Sequence, residues 1–107
     1  EAVRALQGQG RATRLLFCEI GQPLLANVLV DITGVVDIKV QASQCFQSQL
    51  AQQDYHHHVN GLNRQRSYTL GPSVTHAEAF WLVDSKDLAG GVEGVMAGIV
   101  QALARRM

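Results

Sequence analysis

Charge is in short supply in this chain. Charged residues make up 17% of the 107 positions, against roughly 25% in an ordinary soluble domain. Nine basic residues balance nine acidic ones, so the formal net charge is zero. That balance excludes the broad basic field of a typical nucleic-acid binder, and an acidic field as well. It also favours association, and part of the surface is expected to be covered by neighbours. Cysteine is scarce too: Cys18 and Cys45 lack CxxC spacing and supply no disulfide framework. They are expected as buried thiols, with a single disulfide as the alternative in an oxidising compartment. No apolar run reaches the ~18 residues of a membrane span, and no signal peptide is visible, which leaves the compartment open. Also missing are GxSxG, a glycine-rich phosphate loop, HExxH and a Cys-His signature. The chain is therefore expected to be non-enzymatic and to need no cofactor. It opens at Glu1 without a methionine, which is compatible with a segment before it.

What is present is glutamine, glycine and alternating apolar residues. Glutamine supplies much of the polarity, with Gln41, Gln44, Gln47, Gln49, Gln52 and Gln53 in one stretch. At this length one domain is expected, large enough for most of a small core. Glu1–Leu6 reads as the end of a short helix stopped by Gly8 and Gly10. Ala12–Ile20, with Leu15-Leu16-Phe17-Cys18 at its centre, reads as a strand buried on both faces. Gly21-Gln22-Pro23 reads as a turn.

Leu24–Thr33 reads as a strand, with Leu24, Ala26, Val28, Val30 and Ile32 all apolar on one side and Asn27, Asp31 and Thr33 punctuating the other. The next run repeats the pattern through Val36, Ile38, Val40 and Ala42. A three-residue loop, Thr33-Gly34-Val35, would join them, with Gly34 left-handed, Val30 facing Ile38 and Val28 facing Val40. That register sets Asp31 opposite Asp37.

The strongest local signal is Asn60-Gly61, which suits the two positive-φ positions of a tight hairpin turn. Extended outward, its register pairs Ile38 with Val83, Val40 with Trp81, Ala42 with Ala79 and Gln44 with Ala77. It also places His76 opposite Cys45. Gly71-Pro72 argues for a bulge in that ladder. The expectation is a long hairpin with an apolar base, 35–44 with 77–84, and a polar arm over 45–73. After the strand ending in Phe80-Trp81-Leu82-Val83, Asp84 or Ser85 can cap a helix. There Leu88, Val92, Val95, Met96, Ile99 and Leu103 fall in one stripe, and Arg105 and Arg106 suit the C-terminal dipole. Gly90, Gly91, Gly94 and Gly98 oppose that helix, which must be held by packing and could begin only near Val92. Gly91, Gly98 and Ala102, with Gly94 just beyond, form a small-residue groove that would admit another backbone. The predicted fold is α+β: a mainly antiparallel sheet of four to five strands with a long β-hairpin arm, packed against a C-terminal helix.

Two groups of residues carry candidate chemistry. In a strand, Asp54, His56 and His58 share a face, and imidazole suits zinc, nickel and copper. On the opposite face of the arm lie Tyr55, Arg64, Arg66 and Tyr68. That pairing suits a protein interface, where Tyr and Arg are enriched, and could also grip phosphate or stack on bases. No motif carries a family resemblance. In architecture alone, a small sheet with a Trp-bearing strand leading into a C-terminal helix, plus a projecting hairpin, resembles ring-forming phage tail components such as tail terminators. The leading expectation is a non-enzymatic, self-associating structural or adaptor subunit, partnered by itself or by a larger assembly. The alternative is a small ligand- or metal-binding protein using the His56–His58 tip, and a nucleic-acid-binding module comes third.

Overall fold

In the computed structural model, which describes residues 2–9, 13–20 and 22–106, the run Ala77-Glu78-Ala79-Phe80-Trp81-Leu82-Val83 forms the central strand of the sheet. Its odd positions, Ala77, Ala79, Trp81 and Val83, are buried, and its even positions are half-buried. Two-sided cover is what a centrally placed apolar strand needs. This strand is β3 (Ala77–Val83), flanked by β1 (Leu15–Cys18) and β2 (Val28–Asp31) in the order β1-β3-β2. The β2–β3 ladder is antiparallel, with Val28 facing Phe80, Leu29 facing Ala79, Val30 facing Glu78 and Asp31 facing Ala77. Backbone bonds extend it by a residue at each end: Asn27 N–H donates to the Phe80 carbonyl and Ile32 N–H to that of His76, both at 3.0 Å. β1 is an edge strand, half-buried only at Leu15 and exposed from Leu16 to Cys18. Cover on both of its faces was expected and is not found.

The sheet therefore has three strands among the described residues, not four to five, and the hairpin arm is replaced by helix. At the end of β2 the Asp31 carboxylate accepts a hydrogen bond from Thr33 N–H at 2.9 Å. Such a local side-chain bond folds the chain out of the strand. A 3-10 turn, Thr33–Val35, follows and leads into helix α2 (Val36–Gln44). Gly34 is not left-handed: among the described residues only Gly71 and Gly91 have positive φ, at 93° and 71°. Asp37 sits on α2, not opposite Asp31. In a run this short, Val36, Lys39, Val40 and Ser43 fit one helical face as well as Val36, Ile38, Val40 and Ala42 fit one strand face. The helical face wins. Those four residues are half-buried, whereas Ile38 is exposed.

The segment expected as a polar arm holds α3 (Gln47–Leu50), α4 (Tyr55–Arg66) and a 3-10 turn, Ser67–Leu70. Asn60-Gly61 lies inside α4 and makes no turn. Tyr55, Val59, Leu62, Asn63 and Arg66 recur at helical spacing and all are withdrawn from solvent. Strand 35–44 does not exist, so the pairings Val40–Trp81 and His76–Cys45 have no ladder to run in. Trp81 is nevertheless buried. Both cysteines are free and exposed, not buried thiols or a disulfide. The projecting hairpin on which the likeness to tail components rested is also not there.

By contact the chain forms two compact units, Cys18–Phe80 and residues 1–17 with 81–107. The second unit contains α1 (Ala2–Gly8), α5 (Ser85–Ala89) and α6 (Gly91–Arg106). Asp84 caps α5, its carboxylate accepting from Lys86 N–H at 2.8 Å. The helix expected after Asp84 is two helices, broken at Gly91, whose positive φ turns the chain between α5 and α6. The long one begins beside Val92, where the glycines suggested a start. The glycine groove is filled from within: a Cβ on Gly94 would press into the Asp87 backbone carbonyl, and one on Gly98 into the Asp87 carboxylate. Glu1, Gly10, Ala12 and Gly21, read as a helix start, a helix stop, a strand start and a turn, lie outside the described residues.

Candidate functional site

Within the unit Cys18–Phe80, α4 presents Tyr55, His58, Val59, Leu62 and Asn63 to an open cleft of about 690 Å³. Cys18 lines it from the end of β1, Glu19, Gln22 and Pro23 from the segment that follows, Lys39 from α2, and Glu78, Ala79 and Phe80 from β3. Two sets of charges meet there. The Lys39 ammonium donates to the Glu78 carboxylate and, at 2.6 Å, to the Asn63 side-chain oxygen. Asn63 is buried, and this bond satisfies its carbonyl, as a buried amide requires. The second set is Glu19 and Arg66. The guanidinium donates to both carboxylate oxygens, at 3.1 and 2.6 Å, and to the Leu24 carbonyl at 2.7 Å. Leu24 N–H in turn donates to Glu19 at 2.9 Å. This fork geometry is particular to arginine.

The Glu19 side chain is only 7% exposed. Burial pulls its pKa up, but the Arg66 hydrogen bond, the Leu24 N–H and the positive charges of Arg66 and Lys39 outweigh burial. The carboxyl titrates below its ordinary range. Arg66 is shifted upward, chiefly by its bond to Glu19, against the opposing pull of desolvation. The cleft's charges are thus already paired. An occupant would meet hydrogen-bonding groups (Tyr55, His58, Gln22, Gln53) and apolar wall (Val59, Leu62, Phe80) in preference to an unbalanced charge.

The residues expected on opposite faces of a strand are redistributed by the helix. Tyr55 joins the cleft wall, and Arg66 is committed to Glu19. Arg64 is exposed, and Tyr68, in the 3-10 turn, is 84% exposed. The Ser67 hydroxyl lies 2.6 Å from the Arg64 carbonyl and 3.0 Å from that of Thr75, tying the end of α4 to the approach of β3. Of the three residues read as metal ligands, His58 faces the cleft, while Asp54 and His56 group instead with His57. Asp54 accepts from His57 Nδ1 at 2.9 Å, and its other oxygen lies 3.8 Å from His56 Nδ1. The hydrogen bond from His57 leads in holding the Asp54 carboxyl below its ordinary range, with the three histidines adding coulombic pull against slight desolvation.

Sequence reasoning missed Glu19, Lys39, Glu78 and His57, and it set Asn63, with Gln65, across a turn from the histidines, where the structure instead bonds it to Lys39. Glu19, Lys39 and Glu78 are far apart in the chain, with Lys39 and Glu78 separated by 39 positions, and no local pattern joins them. His57 was within reach, because a helical period over 54–58 would have grouped it with Asp54. Compared with the known protein families, with curated proteins and with solved structures, the chain matches none.

Proposed function

We propose that this chain is a non-enzymatic, self-associating structural subunit, paired with a second copy through the outward face of α6. The observation that carries this is the make-up of α6. From Val92 to Ala104 it holds one charge, Glu93, and one amide, Gln101. Its outward side shows Val92, 80% exposed, with Met96, Val100 and Leu103 about half-exposed. These four lie at helical spacing along most of a 16-residue helix. A surface helix normally turns charged and polar residues outward, and one that is apolar nearly all round is normally covered. Among the described residues no helix is long and apolar enough to cross a membrane, so the cover proposed is protein.

A second copy meets the requirement simply. A two-fold pairing sets the same stripe against itself, and a chain of zero net charge has no global repulsion to overcome. Each apolar side chain removed from water contributes about 1.5–3 kcal/mol when fully covered. The exposed edge strand β1, with Leu16 and Phe17 turned to solvent, adds unpaired backbone and apolar surface of the kind that recruits a neighbour.

The test is the solution mass by light scattering of the native chain and of Val92→Glu combined with Met96→Glu. The native chain is expected as a dimer or larger assembly, and the double variant as a monomer with unchanged circular dichroism. A native chain that stays monomeric at every accessible concentration, or a double variant that still assembles, overturns the proposal.

A further inference from the structure

The geometry points to a divalent transition-metal site at the start of α4, built from Asp54, His56 and His57 and suited to zinc, nickel or copper(II). One ligand atom from each residue lies within 4.8 Å of the other two. Both imidazoles turn Nδ1 toward the same carboxylate, at 3.8 Å from His56 and 2.9 Å from His57. Metal–nitrogen and metal–oxygen bonds near 2.0–2.2 Å place tetrahedral ligand atoms about 3.3–3.5 Å apart. The two measured separations straddle that value, so small rotations of exposed side chains close the site.

Two further observations single this cluster out from ordinary surface polarity. The Nδ1 atom of His56 is buried and has no hydrogen-bond partner, since 3.8 Å to Asp54 is too long for one. A buried nitrogen left unpaired is destabilising, and a cation between it and Asp54 would satisfy it. Asp54, in turn, occupies the N-cap position of α4 yet makes no side-chain cap bond. Asp is among the best residues for that bond. Here its carboxylate is turned toward the imidazoles instead.

The surroundings hold one ligand firmly and leave two adjustable. His56 borders a small cavity with Val36, Val40 and Val59, between α2 and α4, and its ring lies 4.0 Å from that of His57. Asp54 and His57 are exposed, so a fourth position stays open to water. Two imidazoles and one carboxylate favour zinc, nickel or copper over magnesium or calcium. The metal competes with protons for both imidazole nitrogens, so binding weakens as the solution is acidified.

The experiment is Zn²⁺ titration by calorimetry on the full chain carrying Cys18→Ser and Cys45→Ser, because both thiols are exposed and would bind soft metals themselves. One Zn²⁺ per chain is expected. His56→Ala, His57→Ala and Asp54→Asn should each weaken binding at least tenfold, while His58→Ala changes it less than twofold. Co²⁺ in place of Zn²⁺ should show visible d–d bands that disappear in the His57→Ala variant. Because His57 is exposed, that variant is expected to keep its fold, to be checked by circular dichroism. Absence of binding in the parent chain overturns the site. So does a loss with His58→Ala as large as that with His57→Ala, which would mean a loose histidine cluster.

Discussion

Gly61→Ala separates the helical structure of residues 55–66 from the hairpin that Asn60-Gly61 suggests. In a two-residue hairpin turn Gly61 would need positive φ, where alanine is strained and the substitution destabilises. In α4 it lies on the exposed side, its φ is not positive, and an added Cβ meets no atom within 4 Å. Only the intrinsic helix preference then changes, by about 0.8–1 kcal/mol in favour of alanine. For a chain of this size that corresponds to a rise in Tm of about 4–8 °C. Gly94→Ala carries the same intrinsic gain with the opposite outcome. Its Cβ would lie 3.2 Å from the Asp87 carbonyl carbon and closer still to the oxygen. Backbone cannot rotate aside, so α5 must shift on α6. Overpacking of this kind costs about 1–3 kcal/mol, which cancels the gain or exceeds it by up to about 2 kcal/mol. Thermal unfolding of the two variants beside the native chain gives the answer. A fall in Tm for Gly61→Ala would refute the helix, and a clear rise for Gly94→Ala would refute the close approach of α5 to α6.

Two more outcomes follow from the core and the cleft. Because Glu19 titrates lower in the folded chain than its ordinary value of 4.5, its contribution to stability is full above that value and is lost as pH falls through the depressed one. Glu19→Gln should therefore flatten the acid side of the stability profile, read as urea midpoints from about pH 6 to about pH 3, and an unchanged profile would contradict the pairing with Arg66. Trp81→Ala should cost about 3–5 kcal/mol, the range for a large buried aromatic, and a loss under about 1 kcal/mol in urea unfolding would show that Trp81 packs against little.

What could be read from the residues was whatever depends on a single local cause. β3 was legible because its apolar run leaves few alternatives, and Ala77, Ala79, Trp81 and Val83 were read onto one face, which is the buried one. The cap at Asp84 was legible too, since one carboxylate before an apolar stripe signals a helix start. α2 and α4 were not. Val36–Gln44 satisfies a period of two and a period of 3.6 about equally, and the choice falls to what packs against it. That partner is α4, itself hidden by a turn signal strong enough to override the spacing of Tyr55, Val59, Leu62, Asn63 and Arg66. One wrong turn thus converted two helices into a hairpin, and every pairing drawn from it failed together. The cleft was invisible for a different reason. Lys39–Glu78 and Glu19–Arg66 join residues through the tertiary fold, and neither partner is marked by its own neighbours.

The histidine stretch shows how far a site's chemistry depends on the backbone period. Extended chain places Asp54, His56 and His58 on one side, whereas the first turn of a helix gathers Asp54, His56 and His57 and sends His58 into the cleft. The donor types are the same, so composition cannot choose between the two sets. The same reasoning applies to α6. Gly94 and Gly98 looked like a groove for a neighbour, but Asp87 occupies that side, and a helix face filled from within cannot be an interface. The side proposed to pair is the one bearing Val92, Met96, Val100 and Leu103. Association proposed there would depend on apolar burial, which is proportional to the area covered and not tied to close backbone contact. Charges placed on that stripe should therefore disrupt pairing, with the glycine positions and the fold they support left untouched.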